Sequence, residues 1–252
     1  MIVAIDIGNT AISFGLFHNK NKYSFYTLRT EAYSRNALRS LLRKTLGTAV
    51  RACIFCSVVP SLNAKIRKDI RILCSCPVYM VGKDIKITIK HRYTHIRSLG
   101  ADRLVNVYGS LLLYTPPLVI VDFGTAITFD YVNTQGIFKG GLIVPGIMTS
   151  LNALSNKGAL LPKNCILSKP KSFLGHSTTQ GMLSGTVFGF ASLTDGLIKH
   201  FQKRYGQSVK IIMTGGIASF IKRYCKSKTI LNPTLTVQSL YCIAMKEINK
   251  KR

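Results

Sequence analysis

Two short stretches of this chain carry the same chemistry. Asp6-Ile7-Gly8-Asn9-Thr10 and Asp122-Phe123-Gly124-Thr125 each follow a run of apolar residues. A carboxylate at the end of a strand can hold a cation or a cation's bound water. The glycine that follows allows close backbone approach and positive φ. Successive N–H groups and a Thr hydroxyl can then cradle phosphate oxygens. One such turn alone reads as a polar hairpin. Here the match continues: with a one-residue gap, Asp6 to Phe14 and Asp122 to Phe129 agree at Asp, Gly, Thr, Ala, Ile, a hydroxyl and Phe. An internal repeat of this kind implies two halves of like construction. The expected arrangement is a cleft with a phosphate-binding turn on each wall.

A third group of residues supplies a base and an anchor. Gly100-Ala101-Asp102-Arg103 opens a helical stretch, where an Asp is commonly only a cap or dipole partner. The same pair can also set a carboxylate base beside a guanidinium that grips a substrate carboxylate at two points. An enzyme that phosphorylates a hydroxyl needs both. Thr214-Gly215-Gly216 follows a strand and suits close approach of a nucleotide or a plain strand-to-helix turn. Gly140 to Gly146 surrounds apolar residues with Gly and Pro and says little by itself.

The carboxylates available for such work are few. Asp6, Glu31, Asp69, Asp84, Asp102, Asp122, Asp130, Asp195 and Glu247 face 35 Lys and Arg, for a net charge of +26. That balance favours anionic partners without choosing among them. Nucleic acid is not the expected partner, because the basic residues are spread along the chain. With 47% hydrophobic residues in 252, disorder is excluded and a sizeable core is affordable. No apolar run approaches the roughly 18 residues of a membrane span. The apolar opening is interrupted by Asp6, and no basic residue precedes it, unlike a signal peptide. Seven cysteines, an odd number, read as free thiols in a reducing compartment. Cys53 and Cys56 stand three apart on an expected strand, so they point to opposite faces and pack rather than bind metal. Cys74 and Cys76 form a Cys-x-Cys of the same low weight. A soluble, cytoplasmic protein with no membrane partner is the expectation.

The elements that must position these groups alternate between strand and helix, so the class is α/β. Strands are expected over 1–7, 11–17 and 22–28, a helix over 34–46, a strand over 51–58, a helix over 62–73 and a short strand over 78–81. Residues 82–99 are polar and irregular, and 101–114 are helical. Thr115-Pro116-Pro117 is the best break, dividing the chain into 1–115 and 116–252. The second half repeats with strands over 118–121, 127–132 and 137–144, then a helix. A long helix over 178–205, a strand over 209–213, a helix after the Gly-Gly turn and a last helix over 236–249 complete it.

Taken in order, the motifs resemble the type III pantothenate kinase family, of the acetate kinase, sugar kinase, Hsp70 and actin superfamily. The resemblance covers nearly the whole chain. It rests on DIGNT at 6–10, CSVVP at 56–60, GADR at 100–103 and DFGTAITFD at 122–130. GGLIVPG at 140–146, the Gly175, Thr178 and Gly185 segment, and TGG at 214–216 complete the set. It implies a duplicated ribonuclease H-like, actin-like ATPase fold with two domains and a cleft. It also implies ATP-dependent phosphorylation of pantothenate to 4'-phosphopantothenate, the first step of coenzyme A biosynthesis. Asp6, Ile7, Gly8, Asn9, Thr10, Ala11, Ile12 and Ser13 would form the first phosphate-binding turn, and Thr125 would also bind ATP. Asp102 would be the general base. Tyr93, Gly100, Ala101, Asp102 and Arg103 would bind pantothenate, with Thr178 reaching in from the partner of a homodimer whose site lies at the subunit interface. Asp122 would hold a monovalent cation, K+ or NH4+, and Mg2+ would accompany ATP. Two departures stand out: His95-Ile96 where the family usually has Asn-Pro, and His176-Ser177 where it has Lys-Asn. The loop 91–99 is therefore expected to take its own path.

Two other readings are kept. One is a related small-molecule kinase with another acceptor, for which GADR and Tyr93 discriminate. The other is a non-catalytic regulator, like the Bvg accessory factors. Against it, a degenerate site has no need to keep Asp6, Asp102 and Asp122 in so acid-poor a chain.

Overall fold

The computed structural model describes residues 1–43, 49–158, 160–163 and 165–250. They divide into two compact units: Met1–Tyr114 with the C-terminal segment from Thr234, and Thr115–Pro233.

Unit 1 opens with β1 (Ile2–Ile7), β2 (Ala11–Phe17) and β3 (Tyr23–Arg29), then α1 (Arg35–Arg43), β4 (Ala52–Ser57), α2 (Pro60–Cys74), β5 (Val78–Met80) and α3 (Ala101–Leu113). The expected helix over 34–46 is seen as α1, and its residues 44–46 lie outside the described residues. The sheet order is β3-β2-β1-β4-β5, with β1–β2 and β2–β3 antiparallel and β1–β4 and β4–β5 parallel. Strand periodicity sorts the side chains. Val3, Ile5 and Ile7 of β1 join Cys53 and Phe55 of β4 in a core with Leu38 and Leu42 of α1 and Ile66 and Ile70 of α2. Ile2 and Ala4, with Ala52, Ile54 and Cys56, face the other way, onto Val105 of α3. Cys53 and Cys56 therefore lie on opposite faces, as expected.

Unit 2 repeats the plan. Its strands are β6 (Leu118–Phe123), β7 (Ala126–Val132), β8 (Phe138–Pro145), β9 (Lys210–Thr214) and the two-residue β10 (Ile230–Leu231). Their order is β10-β9-β6-β7-β8, and reading from β8 reproduces the unit 1 order with the same parallel and antiparallel pairings. Its helices are α4 (Ile147–Lys157), α5 (Thr178–Tyr205) and the short α6 (Ala218–Ile221). Val187, Ala191, Ile198 and Phe201 of α5 cover Val119, Val121 and Phe123 of β6. The duplicated two-domain α/β fold is as expected. The one-residue gap in the repeat is visible in the hairpins. Ile7 pairs with Ile12 across four residues, whereas Phe123 pairs with Ile127 across three.

The last helix, α7 (Leu235–Lys250), corrects the expected division at one point. The first segment of unit 1 ends at Tyr114, one residue before the expected boundary at 115, and α7 belongs to unit 1, not to a domain running over 116–252. Val237, Leu240, Tyr241 and Ala244 form one apolar helix face, and this face packs with Ile2, Ala4 and Val105. Among the described residues, no helix is long and apolar enough to cross a membrane. All seven cysteines are free thiols.

Candidate active site

Strand periodicity places Asp6 before any contact is considered. Ile2 and Ala4 point to the α3 face of the unit 1 sheet, so Asp6 does too, at the strand's C-terminal end. The chain then turns tightly: Gly8 N–H donates to the Ala11 carbonyl at 3.0 Å. The turn is braced from just beyond β3, where Thr30 Oγ1 donates to the Gly8 carbonyl at 2.7 Å and Thr30 N–H to the Thr10 carbonyl at 3.0 Å. Asn9 and Thr10 are exposed, Gly8 and Ala11 half-buried, and Ile7 and Ile12 fully buried. Asp6 and Ser13 face each other in the register. The stretch 6–13 is thus one rigid hairpin tip, presenting backbone and hydroxyl groups to solvent.

Asp102 reaches the same neighbourhood from α3. Its Oδ1 accepts the N–H of Arg103 at 2.7 Å in the first helical turn. Gly100 precedes it for a steric reason: a Cβ there would stand 2.5 Å from that same Oδ1. Ala101 is half-buried and Arg103 is buried at the start of the helix. Asp6 is half-buried at its surface, yet its carboxyl is pushed up from 3.8 to about 7. Burial is the largest cause and the Asp102 carboxylate the second. A pair of carboxylates that repel in this way is a site for positive charge.

Cys56 completes the cluster and was not singled out for it by sequence. It lies opposite Asp6 in the parallel β1–β4 register, and its Sγ donates to Asp6 Oδ1 at 3.3 Å. Burial and the two carboxylates hold the thiol well above its usual pKa, so it stays a donor. The rest of CSVVP forms the β4–α2 connection. Ser57 Oγ accepts from Val59 N–H at 3.0 Å, and Pro60 opens α2.

In unit 2, Asp122 is the penultimate residue of β6 and pairs with Thr128 of β7 and Thr214 of β9. The Gly-Gly turn is explained by this carboxylate. Gly215 has φ +98°, and a Cβ on it would meet Asp122 Oδ1, Phe123 N and Phe123 O, each at 2.6 Å. The close approach there is by the protein's own backbone. Thr125 is exposed at the turn. Its carbonyl accepts from Gly146 N–H at 2.9 Å and from Thr149 Oγ1 at 2.7 Å. Gly146, the last residue of GGLIVPG, sits so close to the Gly124 and Thr125 carbonyls that a Cβ would stand 2.4 Å from each. This motif buttresses the second turn, a role that its sequence alone does not disclose.

Two expected residues belong to other segments of their units. Tyr93 is half-buried in the irregular segment 82–99, with its carbonyl 3.1 Å from His91 Nδ1. Thr178 is exposed at the start of α5. That start is a reciprocal cap: Ser177 Oγ accepts from Gln180 N–H at 3.3 Å, and Gln180 Oε1 from His176 N–H at 3.0 Å. The replacement of Lys-Asn by His176-Ser177 thus leaves a well-capped helix.

The donor set suits a cation shared with phosphate. Among the described residues, no three His, Cys, Asp or Glu side chains form a metal-holding group. Mg2+ is commonly held by one or two carboxylates and substrate phosphates, which Asp6 fits. Asp122 offers one carboxylate for a monovalent cation.

Comparison with known proteins agrees with this geometry. A type III pantothenate kinase family model matches residues 2–200. The chain is 37% identical over 249 residues to the type III pantothenate kinase of Desulfovibrio desulfuricans, covering 95% of this chain and 94% of that one. With the type III pantothenate kinase of Persephonella marina it is 36% identical over 253 residues, covering 96% and 98%. Among solved structures, a chain described as a Baf family transcriptional activator from Campylobacter jejuni superposes with a TM-score of 0.57 at 21% identity, covering 98% and 99%. A chain from Sinorhizobium meliloti described as a 2-dehydro-3-deoxygalactonokinase superposes at 0.59 with 11% identity, covering 98% and 99%. At those identities the two structures speak for the fold alone. With family match, near full-length relatives and paired carboxylates in agreement, the chain belongs to the type III pantothenate kinase family.

Proposed function

We propose that the protein transfers the terminal phosphoryl group of ATP to the hydroxyl of pantothenate, forming 4'-phosphopantothenate for coenzyme A biosynthesis. The observation that carries this reading is the convergence of Asp6 and Asp102, within a chain of this family. Phosphoryl transfer depends on positioning and charge neutralisation more than on covalent chemistry. Asp102 accepts the proton of the attacking hydroxyl. Its fixed place in the first turn of α3, and the glycine that makes room for it, support that role. Arg103 grips the pantothenate carboxylate, with Gly100, Ala101 and Tyr93 completing the pocket. The 6–13 hairpin tip and Thr125 bind the ATP phosphates. Mg2+, when bound with ATP, supplies charge neutralisation, and Asp6 is the residue that would hold it. Asp122 holds K+ or NH4+.

A homodimer is part of the same proposal, with Thr178 serving the partner's site. What supports it is a set of exposed apolar side chains on unit 2. Leu142 and Ile143 of the edge strand β8 are 43% and 60% exposed, and Leu154 of α4 is 47% exposed. Bare apolar edges of this kind are normally covered.

The test is a coupled assay of ADP release with pantothenate, with and without K+, on the wild type and Asp102→Asn. Removing a positioned base typically costs about 10²–10⁴ in rate, so the variant should fold, dimerise and lose nearly all turnover. Near-wild-type turnover in the variant would remove Asp102 from the mechanism. A folded wild-type dimer inert toward pantothenate would turn attention to another acceptor, and then to the regulator reading.

A further inference from the structure

Unit 1 holds a concavity whose residues take no part in the site around Asp6 and Asp102. It lies where the start of α1 meets the middle of α2, with a volume of about 590 Å³. Ser34, Arg35, Arg39, Lys65, Lys68 and Asp69 line it. Helical spacing explains the gathering. Arg35 and Arg39 are four apart on α1, and Lys65, Lys68 and Asp69 stand at i, i+3 and i+4 on α2, so each set shares a helix face.

The one carboxylate is already engaged. Asp69 is 1% exposed; its Oδ1 accepts from Arg35 Nε at 2.6 Å and its Oδ2 from the Tyr33 hydroxyl at 3.0 Å. Asp69 therefore fixes Arg35 at the rim. The Lys65 ammonium stands 5.3 Å from the centre of the Tyr33 ring. Arg39 and Lys68 are exposed. The ion pairs among the described residues are Arg29–Glu31, Arg35–Asp69 and Arg67–Asp84, and neither residue is in them. Four cationic side chains against one carboxylate leave a surplus of three positive charges facing one hollow. Such a surplus raises the local concentration of anions. The N-terminus of the nine-residue α1 adds to it: Ser34 Oγ accepts from Ala37 N–H at 3.1 Å, at the positive end of the helix dipole.

Size and lining narrow the ligand. The volume is in the range of small-molecule sites, about 300–1,000 Å³. No aromatic face is offered: Tyr33 is 7% exposed and approached by Lys65, so the hollow lacks the stacking platform that single-stranded nucleic acid uses. We propose that this concavity binds a small, multiply charged phosphate compound, held by Arg39, Lys65 and Lys68 with Arg35 fixed behind them by Asp69. The proposal stands independently of the kinase reading.

The experiment is a titration of the full chain near physiological ionic strength, followed by backbone-amide NMR. Tripolyphosphate and a sugar bisphosphate are the two probes, and separate inorganic from organic phosphate. Amides of 34–39 and 64–69 should shift on saturation with at least one probe. Arg39→Gln with Lys68→Gln should weaken that binding tenfold or more. Lys169→Gln with Lys171→Gln, which removes two exposed cations of unit 2, should leave it unchanged. Equal weakening in both double variants would mean that net charge alone attracts the probe, and would overturn the site. So would shifts confined to 6–13 and 124–125. A single-stranded oligonucleotide that binds through these residues more tightly than either probe would overturn the assignment to a small phosphate compound.

Discussion

At the residue scale, the cluster of Asp6, Cys56 and Asp102 concentrates the chemistry of unit 1. The Asp6 carboxyl rises on folding from its usual 3.8 to about 7, chiefly through burial and then through Asp102. Between those values the native protein keeps a proton that the unfolded chain has released. The stability this confers is complete below about pH 4 and is lost as pH climbs to about 7. Asp6→Asn removes that dependence. Urea midpoints of wild type and variant, measured without ligands from pH 4 to 8, should therefore drift apart, with the variant gaining relative stability toward pH 8. Cys56 makes a separate prediction. A hydrogen bond is worth about 0.5–1.5 kcal/mol net, or about two- to tenfold in a rate constant. Cys56→Ala should lower kcat by that factor with little change in KM, and Cys56→Ser, which keeps a donor, should restore it. Steady-state kinetics of the pair checks this; an Ala variant equal to wild type would leave the thiol a packing role only. Asp6 and Asp102 were legible in sequence because a carboxylate at a strand end or helix start is itself a signal. Cys56 was not, because its meaning depends on which strand lies beside β1, and a parallel pairing across 50 residues leaves no local mark.

At the element scale, α3 and α7 show how close packing holds the site. Gly109 of α3 lies so near Ser239 of α7 that a Cβ would stand 1.9 Å from Ser239 Oγ and 2.8 Å from its Cα. Backbone cannot yield as a side-chain tip can. Gly109→Ala should therefore push the helices apart and destabilise unit 1 by about 1–3 kcal/mol, the usual cost of overpacking. A chemical-denaturation curve would show it, and an unchanged midpoint would mean that the helices slide at no cost. The strands were readable from apolar runs and polar turns, and the helices from their spacing. β10 was not, since two residues carry no period. The allegiance of α7 was also hidden. Its apolar face at 237, 240, 241 and 244 announces a buried helix, but does not say which sheet it covers.

At the scale of the whole molecule, the duplication is complete in its topology, with one strand order and one set of pairings used twice. The repeat at Asp6 and Asp122 made that legible, because seven matched positions after two apolar runs are hard to obtain otherwise. Pro116-Pro117 lies at the start of unit 2, but nothing local marks the return to unit 1 at Thr234, because a chain can return to its first unit after completing its second. A chain ending at Pro233 lacks α7 and leaves Ile2, Ala4, Ala52 and Ile54 without part of their cover. It should lose the cooperative unfolding transition of unit 1 and aggregate, whereas single surface substitutions do not. Calorimetry of the shortened chain tests this, and an intact two-unit transition would contradict it.

The return of α7 also orders events in time. Unit 2 is placed in the sequence between α3 and α7, so the ribosome must make 115–233 before the helix that finishes unit 1 exists. At roughly 5–20 residues per second, the sheet bearing Asp6 waits about 6–24 s with an apolar face uncovered. Unit 2 has all of its own strands and helices before that wait is over. The later half of the gene product can thus mature first, and the half that carries Asp6 and Asp102 is sealed last.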